Sequence, residues 1–160
     1  MPIYATAGSK LYIGGILEPN FEGDLTTASF TGITWTEVRP LESIGSFGDV
    51  AEVVTFSALS SVRVHKLKGV RDAGNMEVVI GLDHANPGQA ALLAALASQS
   101  NFAFRVVFND APDADGTPSE RRFVAVVIGA TEVLDSASSV MKLQVTLGIN
   151  SNIVRIAAAT

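Results

Sequence analysis

The sequence predicts a mainly β protein with one α-helix, an antiparallel β-sandwich or barrel with the helix at its side. Three observations point to this class. Apolar and polar residues alternate with period two along much of the chain, and Gly, Asn and Asp turns separate the alternating runs. Only one stretch, residues 86–99, combines helical spacing with a helix-start signal.

Taken in order, residues 1–30 are weakly patterned and fit an N-terminal arm. "ITWTEV" alternates weakly from Ile33 to Val38, and Trp35 within it suits a core position better than a ligand platform. Pro40 to Phe56, "PLESIGSFGDVAEVVTF", reads as a long loop rich in Gly and Ser. It carries Leu41, Ile44, Phe47, Val50, Val53, Val54 and Phe56, with Asp49 among them. Long loops in compact domains are uncommon and usually functional. One this apolar is expected to dock on a partner, with burial against its own domain as the alternative.

"SVRVHKL" alternates from Val62 to Leu67, with His65 facing outward beside Lys66. "MEVVIGL" places Met76, Val78, Ile80 and Leu82 on one face. The helix follows in "NPGQAALLAALASQ". Asn86 is its N-cap and Pro87 takes the first position, where a missing N–H costs nothing. Gln89 stands where a capping box needs it, and Leu92, Leu93, Leu96 and Ala97 form the predicted apolar stripe. Asp83 and His84 precede this start and superficially suggest a phosphate or metal site. A phosphate loop needs more glycines and a Lys, however, and a metal site needs a second His at suitable spacing. The stretch is a cap.

"NFAFRVVF" puts Phe102, Phe104, Val106 and Phe108 on one face, opposite Ala103, Arg105 and Val107. Residues 109–122, "NDAPDADGTPSERR", form a polar hairpin tip. Asp110, Asp113 and Asp115 do not have the spacing of a calcium loop. "RFVAVVIGA" is apolar on both faces, as a central strand is. "VMKLQVTLGI" turns Met141, Leu143, Val145, Leu147 and Ile149 inward, and "RIAAAT" ends a short tail over 151–160. With neither linker nor repeat, 1–160 reads as a single domain.

Composition narrows the function. The absence of cysteine excludes a disulfide scaffold, thiolate zinc and a cysteine nucleophile, and suits a reducing compartment. No signal-peptide pattern opens the chain, and no apolar run approaches the roughly 18 residues of a membrane helix. A net charge of −5 with scattered Lys and Arg argues against gripping nucleic acid. Charged residues are 17% of the chain, below the usual figure of about 25%. A surface so poorly supplied with charge is expected to be hidden partly against other subunits. Neither histidine has an orienting partner in sequence, no G-x-S-x-G elbow exists, and the acid pairs sit on a loop tip. No enzyme, cofactor or metal site is expected.

The series "HKLKGVRDAGNMEVVIGLDHANPGQAALLAAL" (65–96), "NFAFRVVFND" (101–110) and "ERRFVAVVIGATEV" (120–133) resembles the major tail tube proteins of long, non-contractile-tailed bacteriophages. The resemblance covers about half the chain directly, and the ordered series carries it rather than any one motif. It implies a tail-tube-like β-sandwich or barrel whose copies form hexameric rings. Their sheets join in an inner barrel, and the rings stack head-to-tail into a tube that conducts DNA during ejection. It also implies that the 40–56 loop, from Leu41 to Phe56, reaches a neighbouring ring. The implied partners are the chain itself and the tape-measure, tail-tip and tail-terminator proteins. The implied location is the virion tail, assembled in the host cytoplasm, with no specific DNA binding and no membrane. Two alternatives stand beside this: a tube ring of a secretion system or contractile tail, and a small-molecule-binding β-barrel with Phe102, Phe104 and Phe108 lining a cavity.

Overall fold

The computed structural model describes residues 3–19 and 21–160. In chain order the strands are β1 (Lys10–Ile16), β2 (Thr36–Val38), β3 (Leu41–Ser43), β4 (Val50–Phe56), β5 (His65–Asp72) and β6 (Asn75–Gly81). Helix α1 (Pro87–Ala97) comes next, then β7 (Phe102–Val107), β8 (Glu120–Val133), β9 (Lys142–Ile149) and β10 (Val154–Ile156). A sheet runs in the order β2-β1-β7-β8-β9-β6-β3, with β10 added to β8, and β4 pairs with β5 in a separate two-stranded ribbon. Every pairing is antiparallel.

The sheet curls round one core. Val38 from β2, at one end of the strand order, and Ile80, paired to β3 at the other, belong to the same buried cluster. Leu143, Val145, Leu147 and Ile149 of β9 line it, as the alternation predicts. Met141 does not: it precedes the strand, which starts at Lys142, and is 57% exposed. β8 is central, and a bulge between Val127 and Gly129 adjusts its register on β9. Phe123 and Ala125 face the main core. Val124, opposite, joins Phe30, Ala103 and Val154 in a smaller cluster covered by Leu17, Leu25, Ile33 and Trp35.

Both expected terminal extensions are partly in the sheet. Lys10–Ile16 is a strand between β2 and β7, with Leu11 and Ile13 buried, so the N-terminal arm does not include it. The tail contributes β10 and a bridge from Ala159 to Thr117. "ITWTEV" is strand only over Thr36–Val38, because Ile33 and Trp35 instead cover the smaller cluster.

The helix starts as predicted, with Asn86 Oδ1 accepting the Gln89 N–H at 3.0 Å. The Gln89 side chain, however, does not close a capping box. Its Nε2 donates to Arg39 O (2.9 Å) and Gly81 O (2.8 Å), and its Oε1 accepts the Asp83 N–H (3.1 Å). It thus ties the helix start to the ends of β2 and β6. The apolar stripe is also rotated. Gly88, Gln89, Leu92 and Ala95 are buried, while Leu93 and Ala97 face outward. Gly88 fixes that rotation, since a Cβ there would collide with the Glu37 carbonyl of β2. Gln89→Ala strands three backbone groups and is expected to cost about 3 kcal/mol, read from urea unfolding midpoints.

The β7–β8 hairpin tip is closed by Asp110, which accepts the Ser119 N–H at 2.7 Å and the Ser119 hydroxyl at 2.6 Å. These bonds hold its carboxyl below the usual carboxylate range. Their contribution is therefore complete above the unfolded-state value of about 4 and is lost as pH falls through the lower folded value. Asp110→Asn should lower thermal stability at neutral pH and lessen its fall on acidification, read by melting from neutral to acidic pH.

Candidate assembly surface

The Pro40–Phe56 segment, expected as a loop, is two strands joined by residues 44–49, and its expected contact residues fall into two groups. Leu41, Ile44 and Phe47 pack against the main core, and the Phe47 ring stacks on Phe123 with centroids 6.0 Å apart. Val50, Val53, Val54 and Phe56 lie on β4, away from that core. Asp49 sits at the junction, beside a groove shared with Asp24, Arg71 and Asp72.

β4 and β5 form an arm. Their register runs from Val50 opposite Asp72 to Phe56 opposite His65, with residues 57–64 as its tip. At about 3.4 Å per residue the seven residues of β4 extend about 24 Å. Among the described residues each strand pairs only with the other, so both outer edges of the arm are unpaired. Half of the large, exposed apolar side chains among the described residues lie between positions 50 and 70, including Phe56 (61% exposed), Leu67 (61%) and Val70 (78%). An isolated hairpin is marginally stable in water, and a concentrated apolar surface marks a contact site.

The two arm faces differ. Val54, Phe56, Leu67 and His65 share one, while Val53, Thr55, Lys66 and Lys68 share the other. The sequence reading missed β5 as part of this surface because its pairing with β4 crosses an eight-residue tip. The alternation of 62–67 signalled a strand but not its partner; Val62 and Val64 fall in the tip itself.

The other candidates stay apart. His65 and His84 are exposed, on the arm and on the turn before the helix. Asp113 is engaged by the Asp115 N–H at 3.2 Å, within the hairpin tip. Among the described residues no group of three or more His, Asp or Glu is placed to hold a metal ion. Phe104 is fully buried and stacked on Phe123 at 5.8 Å, so it fills the core rather than lining a ligand cavity. Sequence reading also missed a cluster on the opposite face of the sheet. There Arg105 lies over the rings of Tyr12 (4.2 Å) and Trp35 (5.2 Å), and Glu120 binds Arg122 at 2.8 Å. Cross-strand register brings these residues together: Tyr12 is opposite Arg105, and Arg105 is opposite Arg122.

No family model and no curated protein sequence matches the chain. Solved structures do match. A chain of the six-fold symmetrised baseplate of the anti-feeding prophage superposes with a TM-score of 0.70 at 13% identity, over 98% of both chains. One from the sheath/tube terminator of an extracellular contractile injection system gives 0.69 at 11%, again over 98% of both. The SPP1 tail tube gives 0.63 at 12%, over 99% of this chain and 81% of that one. At these identities the likeness establishes architecture: the chain has the tail-tube fold, an antiparallel β structure with one α-helix among the described residues.

Proposed function

We propose that the chain is a non-catalytic structural subunit that assembles with copies of itself into a phage tail tube. Six copies close a ring, rings stack head-to-tail, and the bore conducts DNA during ejection. Tape-measure, tail-tip and terminator proteins are its further partners in the virion tail. The observation that carries this reading is the β4–β5 arm, which projects apolar side chains and two open strand edges from a subunit of this fold. Such an arm finds its counterpart elsewhere on a second copy, a heterologous contact that generates rings or open-ended stacks.

A second reading, the tube of a contractile injection system, is favoured by one observation. The chain spans 98% of the matched chain from the contractile injection system's sheath/tube terminator but 81% of the SPP1 tail tube protein. Electron microscopy of the purified protein over a concentration series tests the shared claim. Hollow tubes or stacked rings support it, and a monomer at every concentration counts against it. A sheath protein encoded nearby, and decorating those tubes, would select the second reading.

A further inference from the structure

The arm is cationic on a chain that is otherwise strongly acidic. Residues 50–72 hold Arg63, Lys66, Lys68 and Arg71 against Glu52 and Asp72, a balance of +2. The whole chain is −5, so the remainder is −5 − 2 = −7. Lys66 and Lys68 share one face, with Val53 and Thr55 opposite them, and Arg71 lines the same shallow groove, where the three cations outnumber the carboxylates of Asp49 and Glu52. Among the described residues no ion pair engages any of these four cations; the three ion pairs present involve Arg105, Arg122 and Lys142. The reverse face carries Val54, Phe56 and Leu67, with Glu52 and His65 among them. The lysines are thus gathered on one side of the ribbon, beside Val53, while Phe56 and Leu67 stand on the other.

We infer that the Lys66–Lys68–Arg71 face is an electrostatic docking surface whose occupant is the acidic body of a second copy of this chain. The inference rests on the self-assembly proposed above and adds what orients it. A body of charge −7 repels other bodies and attracts arms of charge +2, so the productive encounter is arm to body. Like-charged arms do not pair face to face, which disfavours closed two-fold dimers and favours the head-to-tail contact that propagates. Docking also hides the arm's cations within the contact. The surfaces left in water are then acidic, and an acidic bore does not hold a DNA strand passing through it.

Sedimentation across protein concentrations, at about 0.1 M and about 1 M salt, tests this, because screening shortens from about 10 Å to about 3 Å between them. The wild type is expected to need a higher concentration for half-assembly at high salt. Lys66→Glu with Lys68→Glu is expected to raise that concentration about tenfold or more at low salt. Lys66→Arg with Lys68→Arg should assemble like the wild type. Circular dichroism checks that the variants fold; should the glutamate pair not, Lys66→Gln with Lys68→Gln takes its place. If the wild type assembles and the charge-altered pair does so at the same concentration, this inference fails while the assembly reading stands. If the wild type stays monomeric throughout, both fail. If the wild type binds a short DNA duplex, and the charge-altered pair loses that binding but assembles normally, the face serves a polyanion and the inference is overturned.

Discussion

Val145→Asp is expected to leave no folded protein. Val145 is the middle of β9, opposite Val78 of β6 on one side and Ala130 of β8 on the other, and is fully buried in the main core. Among the described residues no Lys or Arg is buried with it. A carboxylate there must either ionise without a partner or take up a proton and remain poorly hydrogen-bonded, at a cost of several kcal/mol. Domains of this size are held by about 5–15 kcal/mol in total, so the substitution removes much of the margin. The measurement is soluble yield with far-ultraviolet circular dichroism, and a well-folded variant would show that the inward face of β9 is misassigned. Val54→Asp on the exposed arm introduces the same group and should leave the spectrum unchanged.

That contrast marks how far the sequence could be read. Leu143, Val145, Leu147 and Ile149 were legible because Lys142, Gln144 and Thr146 alternate with them, and a pleat converts such alternation directly into two faces. The helix start at Asn86 and Pro87 was legible because capping is local. Gln89 was read only halfway: its backbone N–H meets Asn86 three residues back, but Arg39, its side-chain partner, is fifty residues away. β1 was missed because Gly14 and Gly15 interrupt a short alternating run and hide two core residues, Leu11 and Ile13. The assembly surface was legible as excess apolar character over 40–56, but not as a shape. Composition does not distinguish Phe47, stacked on Phe123, from Phe56, which stands in water; only the departure of β4 from the sheet separates them.

Phe56→Asp combined with Leu67→Asp should therefore abolish assembly while leaving the subunit folded. Both side chains lie on the same face of the arm, and each is more than half exposed, so neither supports the core. Burying a side chain of this size against a neighbour is worth about 1.5–3 kcal/mol. Replacing two of them with carboxylates removes that gain and adds two charges to be desolvated. Repeated at every contact of a tube, a loss of about 4 kcal/mol or more moves the assembly threshold about a thousandfold, beyond concentrations reached in solution. Melting temperature and electron microscopy together read the outcome. An unchanged melt with no rings or tubes assigns the face to contacts between copies. Phe47→Asp should behave differently, lowering the melting temperature before any effect on assembly, because its ring packs on the subunit's own core. Normal tubes from the Phe56/Leu67 variant would show that their face of the arm is not where copies meet.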